Sequence, residues 1–444
     1  MTHIRTNRGR RFVKLAVTVL TLVGVTACNE FLVAENPGAI EAIDVNDPAY
    51  VNLLANMPIF GMQDAYDDHL YWNGQMTDEL TNRNAINPFI EEGQIDRREL
   101  YSDMTYLTAF LYNLLARSRF LADDATTRMK EILADSASSD LRVARALAFA
   151  GFSRVALAES YCVTPIDLSA PKSSDVMFSD AIANANEAVT IAKAYKAKIQ
   201  GRTPVNTAGV LGADSVMNFA LVVGARAALN RNDKAAAIAF ASQVPATFTY
   251  SLYYSSNNTA QHHRTYNRLT LGSNASIDNT PFAAMTTDPR IPRITTGTAT
   301  RLGIPLSPPS YSTFNNSVAG APFAADMSMR IASGLEAAYI VAEAQGPTAE
   351  TLAFVNTRRA AGLQAPVTLA GDALMAELRD QRSRDFFLDG HRLGDLRRYK
   401  QFYNVDLFPK GPYPGTTTGQ VYNDAVTCWP LPTAEINANP NIEK

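Results

Sequence analysis

The sequence predicts a mostly α-helical protein in which paired helices form a scaffold and an irregular, partly β region forms a loop-rich lobe. Three observations predict this. The chain has 444 residues, 46% of them hydrophobic and 19% charged, which is enough for a sizeable buried core. Ala-rich segments with helical spacing occur in pairs joined by short polar turns. A long segment rich in Tyr, Asn, Ser, Thr and Pro interrupts these pairs.

The N-terminus is typical of a signal peptide. Five basic residues and no acidic ones precede the apolar run LAVTVLTLVGVTAC. This run is too short for a resident membrane helix, which needs about 20 apolar residues. Its last four residues resemble a lipobox, so we predict a lipoprotein signal peptide at 1–27 and a lipid anchor on Cys28. An ordinary secreted protein cleaved near Ala27 is the alternative.

Charge and cysteine content restrict the partners and the compartment. The formal net charge is −3, from 40 basic and 43 acidic residues, and loss of the signal peptide would make it −8. A chain without a basic excess has little with which to neutralise phosphates, so we expect no nucleic-acid partner. Outside the cytoplasm, Cys162 and Cys428 either form a disulfide or remain two buried thiols, and both interpretations stay open.

The helices are predicted in order along the chain. Asp47-Pro48 is a favourable helix start, because Asp suits the N-cap and Pro the first turn. Apolar spacing then predicts helices over roughly 98–121, 140–161 and 176–200.

Two helical hairpins follow, over 214–244 and 333–361. Their loose repeat is close to the 34-residue TPR period. We therefore predict TPR-like hairpins that form an α/α superhelical scaffold over about 98–244 and 328–402. Within it, a helix over about 371–389 should break at Gly390 and resume to about 402.

Two loop-rich regions, about 71–97 and 245–327, have the composition of a ligand-binding surface. Both are rich in Asn and aromatic residues. Sugars are held by aromatic faces together with hydrogen bonds from polar and charged groups. A loop region as long as the second is often functional.

Sequence motifs for catalysis are missing. The chain contains no HExxH, GxSxG, Walker A, GxGxxG or CxxC motif. The adjacent histidines His262 and His263 alone make a poor metal site, and adjacent carboxylates usually form a solvated face. We therefore predict no catalytic residue, no metal and no cofactor.

Four ordered motifs resemble the SusD/RagB family of outer-membrane nutrient-binding lipoproteins. Cys28 is followed by NEFLVAENPG. AEAQ at 342–345 precedes AFVNTRRAAGL at 353–363. DFFLDGHRLGDLRRY begins at Asp385, and WPLPTAEINANPN begins at Trp429. Asp389 replaces the glutamate usual in the family, which keeps the charge sign.

The resemblance implies one SusD-like domain over 28–444 that binds a nutrient and catalyses nothing. The ligand would be an oligosaccharide or a peptide. The partner would be a SusC-like TonB-dependent barrel transporter, and the protein would be lipid-anchored in the outer membrane, facing outward. Two alternatives remain: a TPR-type envelope scaffold lipoprotein that mediates protein–protein interactions, and a secreted hydrolase.

Loop position and composition select candidate ligand-binding residues. In the first loop, ring stacking and polar hydrogen bonding are assigned to Trp72, Asn73, Asp78, Asn82, Arg83 and Asn84. In the second region, stacking is assigned to Tyr253, Tyr254 and Tyr311.

The charged stretch RSRDFFLDGHRLGDLRRYKQF at 382–402 is interpreted as scaffold. Its charges alternate with apolar residues, which favours a partly buried ion-pair network between two helices. Arg392 and Asp395 are spaced to pair on one helical face. His391 is interpreted as a structural histidine.

Overall fold

The fold is taken from a computed structural model. It describes residues 47–82, 91–266, 268–269, 275–277, 279–291, 294–295, 300–301, 304–305, 311–312, 324–413 and 419–443. Contacts divide the chain into two compact units, Met1–Tyr50 and Val51–Lys444. In the first unit, Pro48–Tyr50 form a 3-10 turn, and the Asp47 carboxylate accepts a hydrogen bond from the Ala49 amide at 2.7 Å. The predicted signal peptide and Cys28 lie outside the described residues.

The second unit is mostly helical, as predicted. Its helices are α1 Val51–Met76, α2 Glu91–Asp96, α3 Asn113–Leu133, α4 Leu141–Ser160, α5 Ser174–Gln200, α6 Thr207–Asn230, α7 Lys234–Ala241, α8 Arg264–Tyr266, α9 Gly334–Gln345, α10 Ala349–Ala361, α11 Gly371–Asp385, α12 Arg392–Tyr403 and α13 Thr433–Ala438.

Helices that follow one another in the chain pack side by side. Contacts join α3 to α4, α4 to α5, α5 to α6 and α6 to α7. Small residues allow this close approach: a Cβ added at Gly151 of α4 would lie 3.1 Å from Val223 of α6. Helix α6 is long and apolar enough to cross a membrane by composition, but it packs in this core and its second half is continuously buried. The TPR-like hairpins predicted from spacing are therefore confirmed.

Side-chain caps explain where the hairpin helices begin. Asp140, Asn206, Asp233 and Ser333 each accept a hydrogen bond from an amide in the first turn of the helix that follows. Such caps satisfy backbone donors that a helix start otherwise leaves unpaired. The predicted hairpins over 214–244 and 333–361 correspond to α6 with α7 and to α9 with α10.

The helix predicted over 98–121 begins later than expected. Arg98 has a positive φ of 59°, and regular helix starts only at a π-helical turn, Leu107–Tyr112, which continues into α3. The reason is a cap from a distant residue. The Glu91 carboxylate accepts hydrogen bonds from the amides of Thr105 and Tyr106 at 2.9 and 3.0 Å. Apolar spacing alone could not locate this start.

The loop predicted from residue 71 is also wrong at its beginning. Helix α1 continues through Tyr71 and Trp72 to Met76, and all three side chains are buried. The aromatic and Asn composition that indicated a loop here belongs instead to the buried end of a long helix.

The region over 245–327 is irregular and partly β where it is described. Strand β4 Thr249–Leu252 pairs antiparallel with β10 Met329–Ser333, so the two ends of the region lie side by side. Strand β1 Thr81–Asn82 pairs with β5 Ala275–Ser276 and ties the region to the segment after α1. The other short strands are β2 Val163–Thr164, β3 Lys172–Ser173, β6 Ile294–Thr295, β7 Thr300–Arg301, β8 Ile304–Pro305 and β9 Tyr311–Ser312.

Cys162 and Cys428 form a disulfide, which decides the choice that the sequence left open. The bond joins the end of α4 to the C-terminal segment. Beside it, the Trp429 amide donates to the Ser160 carbonyl at 2.8 Å, and the Cys162 amide donates to the Trp429 carbonyl at 3.1 Å. The disulfide therefore closes a long stretch of chain and holds Trp429 in the core.

The stretch 382–402 is scaffold, as predicted. Arg398 on α12 binds the Glu343 carboxylate with two nitrogens at 2.8 and 2.9 Å, and it also binds Asp395 and Asn230. Asp395 binds Arg382 as well, at 2.7 Å. All five side chains are buried. We call these residues the Arg398 network.

The predicted pairing of Arg392 with Asp395 is wrong. Arg392 instead reaches Asp78 beyond the end of α1, at 2.7 and 2.6 Å, while Asp395 binds Arg382 and Arg398. Both alternatives satisfy the charges, but pairing with Asp78 joins two segments that are distant in sequence.

His391 is a structural residue, as predicted. Its Nδ1 lies 2.6 Å from Asp389 and its Nε2 lies 3.1 Å from Glu336. Burial alone would lower the pKa of His391, but these two carboxylates raise it. Next to it, Gly390 has a φ of +87°, and an added Cβ would lie 2.7 Å from the Tyr66 hydroxyl. Only glycine suits this break between α11 and α12.

Candidate ligand-binding clefts

The two predicted loop regions meet at a crevice beyond the end of α1, which we call the Asp78 crevice. Its volume is about 350 Å³. Hydroxyl, amide, carboxylate and ammonium groups line it together with three prolines and one tyrosine ring. The lining residues are Thr77, Asp78, Thr81, Asn279, Thr280, Pro281, Leu407, Pro409, Lys410, Pro412 and Tyr422.

Local structure fixes the walls of the Asp78 crevice. The chain turns sharply after α1, where the Thr77 amide donates to the Asn73 carbonyl and the Leu80 amide to the Gly74 carbonyl. The pairing of Thr81 with Ser276 holds β5 beside β1, and Asn279 and Thr280, which follow β5, line the same crevice as Thr81. Arg98 supports the third wall, since it donates to the carbonyl of Pro409 at 2.6 Å and to that of Asn423 at 3.1 Å.

Both charged lining residues of the Asp78 crevice have an opposite partner, since Asp78 binds Arg392 and Lys410 lies 2.9 Å from Asp406. Both carboxylate oxygens of Asp78 accept from Arg392, so this pair forms a fixed, neutral wall. The neighbouring Glu79 is buried, and burial raises its pKa well above the usual value, although it accepts a hydrogen bond from the Leu388 amide. A neutral wall with hydroxyl and amide groups favours an uncharged polar ligand over an ion.

A second chamber of about 300 Å³ adjoins the crevice and shares Asp78, Pro281 and Leu407 with it. Its far side is formed by α11, including Arg379, whose guanidinium lies over the rings of Tyr399 and Tyr403 at 5.2 Å. The two chambers together provide room for more than a single small ring, because small-molecule sites typically occupy about 300–1,000 Å³.

A separate cleft lies between the middle of α1 and the segment 253–264. We call it the Phe60–Tyr253 cleft, after two exposed rings at its rim. Its volume is about 280 Å³. It is lined by Phe60, Gln63, Asp64, Asp67, Tyr253, Tyr254, Ser255, Ala260, Gln261, His262 and Arg264.

Hydrogen bonds hold the segment 253–264 against α1. The Gln63 side chain donates to the Tyr253 carbonyl, and the Tyr254 hydroxyl donates to the Gln63 carbonyl at 3.1 Å. The Arg264 guanidinium binds the carboxylates of Asp64 and Asp68. These contacts make the floor of the cleft a preformed surface.

Asp67 lies at the floor of this cleft and is buried. Its two carboxylate oxygens accept hydrogen bonds from the amides of Asp68 and Arg264. Burial, and after it the adjacent charge of Asp68, raise the pKa of Asp67 to about 8. Asp67 therefore takes up a proton at a higher pH than an exposed aspartate does.

The structure removes Trp72 and Asn73 from the ligand-facing set. The Trp72 side chain is only 1% exposed and packs against Tyr106 and Arg268. Asn73 is buried and accepts a hydrogen bond from the Trp429 indole at 2.8 Å. Both residues lie on α1, where the chain buries its aromatic face, so the prediction that they contact a ligand from a loop is wrong.

Three of the remaining predicted residues line one of the two clefts. Asp78 lines the Asp78 crevice, whereas Tyr253 and Tyr254 line the Phe60–Tyr253 cleft. Asn82 is buried in β1, and its amide donates to Asp96 at 2.7 Å. Arg83 and Asn84 lie outside the described residues, as does the Tyr311 side chain, whose backbone forms part of β9. For these three residues, ligand contact stays a prediction.

Several lining residues were missed at the sequence level. Phe60 looked like one more apolar residue of α1, and its 61% exposure became visible only when the neighbouring helices were in place. Asn279, Leu407 and Tyr422 come from segments without a motif. In the described parts of the chain, no group of three or more His, Cys, Asp and Glu side chains could hold a metal ion.

Comparison with known proteins agrees with this architecture. Residues 336–444 match the SusD family model. Comparison with curated proteins gives no match. A SusD-like carbohydrate binding protein from Bacteroides fragilis matches with a TM-score of 0.60 and 13% identity, covering 90% of this chain and 99% of that one.

Two further solved structures are similar over nearly their whole length. A SusD-like protein from Bacteroides fragilis has a TM-score of 0.61 at 12% identity, with 91% of this chain and 98% of that chain covered. Surface glycan-binding protein A from Bacteroides thetaiotaomicron, in complex with laminarihexaose, has a TM-score of 0.61 at 13% identity, with 89% and 98% covered.

The fold, a helical-hairpin scaffold with an irregular lobe, is thus similar to that of these solved proteins. The family match covers four of the five residues of the Arg398 network, all but Asn230, and the C-terminal motif. This C-terminal part of the chain therefore matches the SusD family, in agreement with the resemblance that the sequence motifs indicated.

Proposed function

We propose that the protein is a non-catalytic, cell-surface nutrient-binding lipoprotein that captures an oligosaccharide. The observation that carries this proposal is the Asp78 crevice. There, polar side chains from two loop regions converge on a neutral wall held by the helical scaffold. A solved protein of the same fold binds laminarihexaose, which supports the choice of a saccharide.

The chemistry of the crevice suits a saccharide. Hydroxyl and amide groups from Thr77, Thr81 and Asn279 can exchange hydrogen bonds with sugar hydroxyls. Leu407 and the flanking prolines offer apolar surface to the carbon faces of a sugar ring. A peptide ligand would use the same groups, and its binding is an outcome of the experiment below.

Anchoring and delivery complete the proposal. Cys28 would carry the lipid that holds the protein on the outer membrane, facing outward. A SusC-like TonB-dependent barrel would receive the ligand and supply the energy for uptake. The lipobox-like sequence supports the anchor, and the match of residues 336–444 to the SusD family supports the partner.

The proposal is tested by titrating the purified mature protein with neutral oligosaccharides, laminarihexaose first, and with short peptides. Asn279 is the best position to change, because it is exposed, lines the crevice and has a positive φ of 62° that glycine tolerates. If Asn279→Gly removes one hydrogen bond to the ligand, affinity should fall roughly fivefold, or about 1 kcal/mol.

The matched control is Asn232→Gly in the turn between α6 and α7. Asn232 is also exposed and has a φ of 59°, but it lines neither cleft. Its affinity should equal that of the unchanged protein. Saturable binding of peptides alone would replace the saccharide in the proposal, and no saturable binding of either class would overturn it.

A further inference from the structure

We propose that the Phe60–Tyr253 cleft is a second saccharide-binding site, separate from the Asp78 crevice and specific for a neutral sugar ring. The cleft would hold one part of a longer saccharide or a second saccharide molecule. This inference goes beyond the proposed function, which needs only one site.

The Phe60–Tyr253 cleft and the Asp78 crevice are separate sites. The two clefts share no lining residue. The lining residues on α1 end at Asp67, and the helix continues to Met76 before the crevice begins at Thr77. Nine residues of helix at 1.5 Å each give about 14 Å between the two sites. One sugar ring cannot contact both.

Two exposed aromatic rings lie at the rim of the Phe60–Tyr253 cleft. Phe60 is 61% exposed and Tyr253 is 71% exposed, and they come from different segments. Large aromatic side chains normally bury their area, since they provide much of the apolar burial of a fold. Here α1 and the segment 253–264 present both rings to solvent at one concave site. Flat ring faces of this kind stack on the C–H faces of sugars.

The floor of the Phe60–Tyr253 cleft is polar. The Asp64 carboxylate and the Arg264 guanidinium are both about one-third exposed, and they bind each other. Asp64 also lies 3.5 Å from Arg117. Arg264 also binds Asp68, so each of these charged groups has an opposite partner. The exposed parts of Asp64 and Arg264 retain hydrogen-bonding capacity toward the cleft. Charge-assisted hydrogen bonds of this kind strengthen binding to hydroxyl groups.

The balance of charge also selects the ligand class. An acidic sugar would meet Asp64, and a cationic ligand would meet Arg264, so a neutral saccharide is the favoured occupant. The volume of about 280 Å³ lies at the small end of small-molecule sites. We therefore assign one or two sugar units to the cleft, with the rest of the saccharide in solvent.

The test uses Phe60→Ala, Tyr253→Ala and the double variant. Both side chains are exposed, so the variants should fold and melt like the unchanged protein. The probes are neutral hexasaccharides derived from β-glucan, α-glucan, mannan, xylan and arabinan. For a hexasaccharide bound in the cleft, each variant should weaken affinity roughly fivefold, and the double variant more than tenfold.

The control is Phe120→Ala on α3. Phe120 is a similarly exposed ring, at 49%, that lines neither cleft. Its affinities should be unchanged. Asn279→Gly should leave binding at the Phe60–Tyr253 cleft intact, just as the double variant should leave binding at the Asp78 crevice intact.

These variants separate the two proposals. If every saccharide that binds keeps its affinity and stoichiometry in the double variant, the second site is overturned and the Asp78 crevice is unaffected. If the double variant loses a saccharide that Asn279→Gly retains, the second site is supported. If no probe binds at all, the second site is overturned.

Discussion

The Arg398 network and the Phe60–Tyr253 cleft are built from the same kinds of residue, but their burial differs. In the network, Arg398, Glu343 and Asp395 are almost inaccessible, and their polar atoms are directed at one another. In the cleft, the Arg264 and Asp64 side chains are one-third exposed and lie beside two exposed rings. Charged residues that are fully paired and buried specify how helices meet, whereas partly exposed pairs retain capacity for a ligand.

Breaking the Arg398 network should have the largest effect on stability. Arg398→Ala leaves the Glu343 carboxylate buried without its bidentate partner. The expected loss in the free energy of unfolding is about 3–5 kcal/mol, measured by chemical denaturation. The control is Arg128→Ala, which removes a partly exposed pair with Asp124 on α3 and should cost less than about 1 kcal/mol.

A loss at Arg398 no larger than that at Arg128 would contradict the distinction between buried scaffold and exposed pairs. For Arg398→Ala, ligand affinity per folded molecule should remain close to that of the unchanged protein, because the network lines neither cleft.

Removing the disulfide should have the next largest effect. The Cys162→Ser/Cys428→Ser variant frees the C-terminal segment from α4, and chain entropy in the unfolded state rises. Crosslinks of this kind typically stabilise by about 2–4 kcal/mol. Thermal melting of the double variant should show a matching fall in Tm. A Tm equal to that of the unchanged protein, with free thiols absent from the latter, would contradict this role.

Asp67 provides the most specific test, because it lies between scaffold and cleft. Its pKa is about 8 in the folded protein against a usual value of 3.8. Between these two pH values the folded state binds more protons than the unfolded state, so stability falls as pH rises. The contribution is fully present below about pH 4 and lost as pH rises through about 8.

Asp67→Asn cannot titrate, so this part of the pH dependence should disappear. The difference in unfolding free energy between the unchanged protein and the variant should change by on the order of 1 kcal/mol per pH unit across the window. The exposed carboxylate Glu131 serves as control, and Glu131→Gln should retain the original slope. If the unfolding free energies of the unchanged protein and Asp67→Asn depended on pH with the same slope, Asp67 would not be the cause of this pH dependence.

Much of the scaffold could be predicted from the sequence, because its signals are local. The turn at 231–233, the cap at Asp140 and the break at Gly390 each depend on a few neighbouring residues. The late start of α3 could not be predicted, since Glu91 caps it from fourteen residues away. The length of α1 was underestimated because its buried aromatic end has the composition of a binding loop.

The clefts were less predictable, because each combines distant segments. Composition selected Tyr253, which is exposed at a cleft, and equally Trp72, which is buried. Whether a ring packs inside or faces solvent depends on which helices cover it. Phe60 was missed for the same reason, and Asn279 lines the same crevice as Thr81 because β1 pairs with β5.

The most direct test of the account is a calorimetric titration of neutral hexasaccharides onto the unchanged protein, Asn279→Gly and the Phe60→Ala/Tyr253→Ala variant, with Tm measured on the same samples. The account predicts that each variant weakens binding at its own cleft while its Tm stays unchanged. Saccharide affinities that stay the same in both variants would contradict it.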